Sequence, residues 1–326
     1  MIGGLTGGFA PSPAGAAPLA PTGPLASGPL TTAPLTAGPA HGGPGPSLPG
    51  AVAGFGDAAR YGGPGPSASG HEVALRPTPS DRGYWVATSD GSLFAYGDAG
   101  DYGSPGSNAN APIVGMAATA SGHGYWLVAA TGTTFAYGDA GRYGFPDGQR
   151  LDRPIVSMAA TPSGHGYWLL ADDGGIFAYG DASSYGSPGG LHMGSPMVSM
   201  AATPSGRGYW LVAANGGIFA YGDAGYHGSL LGIGETTTSV SAIASTPRGG
   251  GYWVMESNGS IFSFGDATYR GAITVHPASS MVTTLAATHN GTGYWAGTAP
   301  MATTPPITAP APAPPAPPAP PAPPAP

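Results

Sequence analysis

The stretch "GYWLVAANGGIFAYGDAG", residues 208–225, decides the fold because the chain writes it repeatedly. Its Gly-Tyr-Trp element places tryptophans at Trp85, Trp126, Trp168, Trp210, Trp253 and Trp295, spaced 41 to 43 residues apart. Its Gly-Asp-Ala element places aspartates at Asp57, Asp98, Asp139, Asp181, Asp223 and Asp266, with the same spacing. Trp and the following Asp are always 13 residues apart, whereas Asp and the next Trp are separated by 28 to 30. Length therefore varies in one connection only, as expected for a surface loop.

Each unit reads as four short strands. In the unit around Trp168 these are the small-residue run "IVSMAATP" (155–162), "YWLLA" after the turn "SGHG", "GIFAYG", and a brief segment ending near "YGS". The pairs Asp90-Gly91, Asp173-Gly174, Asn215-Gly216 and Asn258-Gly259 predict two-residue type I′ hairpins. Four strands in about 42 residues match one blade of a β-propeller.

The chain enters at "AGFGDAARYG" (53–62), strands three and four without one and two. It leaves through "MVTTLAAT" and "GYWAG" within 281–297, strands one and two without three and four. The two fragments sum to one blade. A closed ring uses such an offset to pair its ends and remove exposed edges. The expected fold is all-β: a six-bladed propeller of four-stranded repeats over 51–299, closed by the terminal half-blades. Residues 1–50, rich in Ala, Gly and Pro, are expected to be disordered, and 300–326, "PPITAPAPAPPAPPAPPAPPAP" at its core, to be polyproline II.

Composition narrows the function. Of 326 residues only 8% are charged; all nine cations are arginine, and the net charge is −7. No basic cluster exists, so nucleic acid is excluded as a partner. With no cysteine there is no disulfide and no thiolate metal site. No apolar run reaches the roughly 18 residues that span a bilayer. The opening "MIGGLTGGFAPSPAG" lacks signal-peptide character, which implies a mature or truncated product or another export route.

The phrase GYW-(L/V)-V-A-x-x-G-G-I-F-A-(Y/F)-G-D-A resembles the tandem repeats of secreted and wall-associated actinobacterial proteins, over about residues 51 to 299. The resemblance implies a propeller in an extracellular or cell-wall setting, beside cell-wall enzymes in some relatives. No amidase or peptidase sequence accompanies it here.

The repeated aspartates sit one per blade, so they are expected to hold their turns rather than bind metal. The repeated tryptophans are expected to fill the space between sheets. Arg82, His123, His165 and Arg207, each preceding a Gly-Tyr-Trp, lie on one rim beside the aspartates. The variable loops concentrate Asp147, Gln149, Arg150, Asp152, Arg153, His192, Glu235 and His276, and the candidate ligand site is placed on that face. No nucleophile elbow, zinc motif, phosphate loop or acid–base carboxylate pair occurs; the adjacent Asp172 and Asp173 would point apart. The expectation is a non-catalytic module without cofactor or metal, recognising a cell-surface glycan or protein. The alternatives are a self-assembling surface protein and an accessory domain of a cell-wall enzyme.

Overall fold

The structure is a computed structural model that describes residues 50–65, 70–146, 151–189, 194–237, 239–273 and 280–300. Apart from Gly50 and Pro300, the expected terminal arms lie outside these residues. Strands are numbered in chain order. The first strands of the repeats are β2 (Glu72–Pro77), β5 (Ile113–Ala118), β8 (Ile155–Ala160), β11 (Met197–Ala202), β14 (Val240–Ser245) and β17 (Ser280–Ala287). The second strands are β3 (Gly83–Thr88), β6 (Gly124–Ala129), β9 (Gly166–Ala171), β12 (Gly208–Ala213), β15 (Gly251–Glu256) and β18 (Tyr294–Pro300). The third are β4 (Leu93–Gly97), β7 (Thr134–Gly138), β10 (Ile176–Gly180), β13 (Ile218–Gly222), β16 (Ile261–Gly265) and, from the start of the chain, β1 (Val52–Phe55).

These strands form six antiparallel three-stranded sheets, each with the second strand in the middle. In the five sheets built from consecutive strands, all six residues of the middle strand are buried. That explains why the Gly-Tyr-Trp segment is apolar without alternation: a central strand covered on both faces has no solvent side. The sixth sheet is drawn from both ends of the chain. Ala53 pairs with Ala296, Gly54 with Trp295 and Phe55 with Tyr294, so β1 takes the third-strand place beside β18. First strands touch in succession from β2 to β17, and β17 in turn touches β2.

Two local expectations need correction. The repeats are three-stranded, not four-stranded. The segment after each Gly-Asp-Ala crosses to the next sheet, where a tyrosine hydroxyl does the work of a strand ladder. The Tyr125 hydroxyl accepts from the Tyr102 N–H at 3.0 Å and donates to the Gly103 carbonyl at 2.6 Å. Tyr84, Tyr209, Tyr252 and Tyr294 repeat this contact. With its polar backbone groups met by a side chain, the segment has no need of a strand partner.

The hairpins between second and third strands also differ from type I′. The Gly91 N–H donates to the Thr88 carbonyl and the Thr88 N–H to Ser92, with Gly91 at φ 86°. This is a type I turn closed by a left-handed glycine. Asp90 and its counterparts are absent from the positive-φ residues. Their side-chain oxygens instead accept the N–H two residues on, from Ser92, Gly175, Gly217 and Ser260. That local bond selects the ordinary turn over its mirror image.

The junction of the last and first sheets is chemically unlike the others. At the turn between first and second strands, Gly122, Gly164, Gly206, Gly249 and Gly291 all have φ near 70°, and the matching residue of the first sheet is Asp81, at φ 57°. Over four of these glycines stands a proline of the preceding sheet, and over Gly164 stands Ala120. Over Asp81 stands His289, whose N–H and Nδ1 both meet the Asp81 carboxylate at 2.8 Å. A second exchange lies deeper. Ile113, Ile155, Met197 and Val240 face the preceding sheet at the position that Glu72 takes in β2. Glu72 is 1% exposed, and neither of its carboxyl oxygens has a hydrogen-bond partner. Room for it comes from Gly297, where a Cβ would fall 2.2 Å from its Oε2. Burial raises the Glu72 pKa to about 8.

Candidate functional site

The repeated tryptophans are all fully buried. Each indole N–H donates to a carbonyl of the segment after Gly-Asp-Ala: Trp85 to Gly100 and Trp126 to Gly141, each at 2.7 Å, and so on round to Trp295, which reaches Ala59 at 2.7 Å. Both the aromatic body and the polar edge are thus committed within the protein.

The aspartates are anchored to the end of the first strand. Asp98 accepts Thr78 Oγ1–H at 2.8 Å through one oxygen and Ser80 Oγ–H at 2.5 Å through the other. Asp139, Asp181 and Asp223 bind the corresponding Thr-x-Ser pairs. Asp266 keeps only the threonine, Thr246, and Asp57 binds Thr288, Asn290 and Thr292. The serine bond is the main cause that holds Asp98, Asp181 and Asp223 below the usual carboxylate range, and Thr292 plays that part for Asp57. The donors are hydroxyls as well as backbone, and the sequence carries them as Thr-x-Ser in four repeats, with Thr246-Pro-Arg248 and Thr288-His-Asn290 in the other two. The rim residues join the same clasp. Arg82, His123, His165 and Arg207 donate their N–H to those serines, and Arg82 and Arg207 approach Asp98 and Asp223 at 3.7 and 3.8 Å.

Of the loop candidates, Asp147, Gln149, Arg150, His192 and His276 lie outside the described residues. Asp152 and Glu235 are exposed. Arg153 is held by Asp172 at 2.8 Å, and this bond raises its pKa further. None of Asp152, Arg153 and Glu235 lines either central cavity described next. Among the described residues no group of three or more His, Asp or Glu could hold a metal.

The first strands enclose a cavity of about 380 Å³. Its mouth carries Pro79, Ala120, Pro162 and His289, from the turns that also hold the aspartate clasps. A smaller space of about 60 Å³ continues inward among Val73, Gly115, Ser157 and Thr284. The wall repeats with the sheets. The residue opposite each repeated tryptophan lines the cavity: Ala117, Ala159, Ala201, Ala244 and Ala286 in five sheets, and Arg76 in the first. Arg76 borders both spaces. One guanidinium nitrogen donates to the Leu75 carbonyl at 2.8 Å, and among the described residues no carboxylate lies within 4.0 Å of it. Burial lowers its pKa to about 10, so it is charged at neutral pH. Sequence reasoning looked to loops and rim and passed over Arg76. The available signal was the arginine of "LRPT" at 75–78, where the other five repeats carry alanine two residues before the threonine.

No family model matches the chain, and no curated protein matches it. Among solved structures it is similar to the β-propeller domain of Cps50 (Swd1) from Myceliophteria thermophila, at 8% identity and a TM-score of 0.42, over 70% of this chain and 97% of that one. No helix among the described residues is long and apolar enough to cross a membrane.

Proposed function

We propose that the protein is a closed six-bladed β-propeller serving as a non-catalytic binding or scaffold module at a cell surface, with its ligand site on the central axis. The observation that carries this reading is the central cavity, walled by one strand from every sheet and carrying a single cation where the other sheets present alanine. Closure is supported by the β1–β18 pairing and by contact between β17 and β2. A binding role without chemistry is supported by the aspartates, which spend their oxygens on hydroxyls, and by His289 on the cavity wall, which is committed to Asp81. The repeat resemblance supports an extracellular or wall-associated setting, in which a glycan or protein is the macromolecular partner.

The test is saturable retention of the purified chain on isolated cell-wall polymer, together with a glycan and cell-surface protein array. Retention on one of these supports the reading, and a blank on all contradicts it. A self-associating surface protein is the second reading, favoured by Tyr226 and Leu231, large side chains 60% and 50% exposed within six residues of each other. A size that grows on concentration would support it.

A further inference from the structure

We infer that the central cavity is a carboxylate site, in which the Arg76 guanidinium takes the anionic end of a small acid. The inference rests on the binding-module reading and names the chemistry of that site. Arg76 is partly buried and borders both spaces, so its guanidinium is a positive charge held at the cavity, where a charge-assisted hydrogen bond to an anion is stronger than in bulk water. Arg76 has neither a carboxylate within 4.0 Å among the described residues nor any obvious structural duty. The five sheets that carry alanine in its place build the same strands and the same tryptophan contacts without it.

The surroundings select the ligand. The other ionisable side chain on the cavity wall, His289, is already bound to Asp81, so the wall contributes one free positive centre. A single planar fork of N–H donors matches a single carboxylate, and its fixed geometry distinguishes that group from a spherical anion. Around it Ala117, Ala159, Ala201, Ala244 and Ala286 stand where the first sheet has Arg76, and residues this small leave space beside the guanidinium for a short ligand. A volume of about 380 Å³ suits a ligand of few heavy atoms rather than a folded partner. The carboxylate belongs to a free acid or to the C-terminus of a short peptide.

The experiment titrates the full chain with butyrate, with N-acetyl-alanyl-alanine and with the amide of each. It is followed by calorimetry and by the Nε–Hε resonances of ¹⁵N-labelled arginine. Both acids, or one of them, should saturate and shift one arginine resonance, while the amides do not; which acid binds better identifies the source. Arg76→Ala, the residue of the other sheets, should keep or raise the melting temperature and abolish binding. Arg76→Lys keeps the charge without the fork and should weaken binding about tenfold or more. Absence of saturable binding by either acid, or binding that survives Arg76→Ala, overturns the proposal; so does equal binding of acids and amides. If the acids fail while retention on cell-surface polymer persists, only this inference falls. If the acids bind and every polymer and array is blank, the broader reading falls instead.

Discussion

At the scale of single residues, the repeat spends its largest side chains on joining sheets. Each tryptophan fills a gap between neighbours and also pins the segment that leaves its own sheet. Trp168→Ala should therefore lower the unfolding free energy by roughly 3–5 kcal/mol, as large-to-small aromatic core changes do, measured by denaturant titration. The clasp on Asp181 is smaller and half exposed, so Ser163→Ala should cost about 1 kcal/mol, the net value of one hydrogen bond. Because hydroxyl donors hold Asp98, Asp181 and Asp223 below 3.8, their contribution is present at neutral pH and is lost as pH falls below that value. The positions of these tryptophans and aspartates were legible in the sequence, because invariance across six copies marks a shared structural task. Arg76 was not, since its meaning depends on knowing that the residue opposite each tryptophan lines the cavity.

At the scale of elements, sequence pattern located the first three strands of each repeat and the shared sheet, yet failed at the fourth segment and at the hairpin type. Both failures have one cause: side-chain hydrogen bonds replaced the backbone geometry that propensity assumes. Tyr125→Phe removes the hydroxyl that serves Tyr102 and Gly103, and should cost about 1–3 kcal/mol, the penalty for leaving buried backbone groups unpaired. The junction between the last and first sheets carries its own chemistry, Glu72 against Gly297 and Asp81 against His289. Glu72 has a folded pKa of about 8 against an ordinary 4.5, so the folded state holds the proton through that interval and the unfolded chain does not. Stability from this group is complete below 4.5, declines by up to about 1.4 kcal/mol per pH unit as pH rises toward 8, and then levels. Tyr84 and Tyr96 also face Glu72, but burial raises both above the ordinary tyrosine value of 10.0, so they remain neutral across this window. Glu72→Gln should flatten the profile of unfolding midpoint against pH between 4.5 and 8; an unchanged slope would assign the dependence elsewhere.

At the scale of the molecule, the first strand completes the sheet of the last two, and this pairing supports the proposed ring. The β1–β18 pairing was legible in the two half-units of the sequence, because only pairing of the ends makes one whole sheet of them. Removing residues 1–62 deletes β1 and leaves β18 with an unpaired edge, so aggregation or a marked loss of stability is expected, while removing 1–45 leaves every described strand in place. A cysteine-free chain permits a more direct measurement. Ala53 and Ala296 are register partners on β1 and β18, and directly opposed strand residues lie within the reach of a disulfide. The double variant Ala53→Cys, Ala296→Cys should oxidise to a monomer whose one bond links the two ends, with a raised unfolding midpoint that falls on reduction. Thiols that stay free under oxidation, or a bond that forms only between chains, would contradict the closed ring.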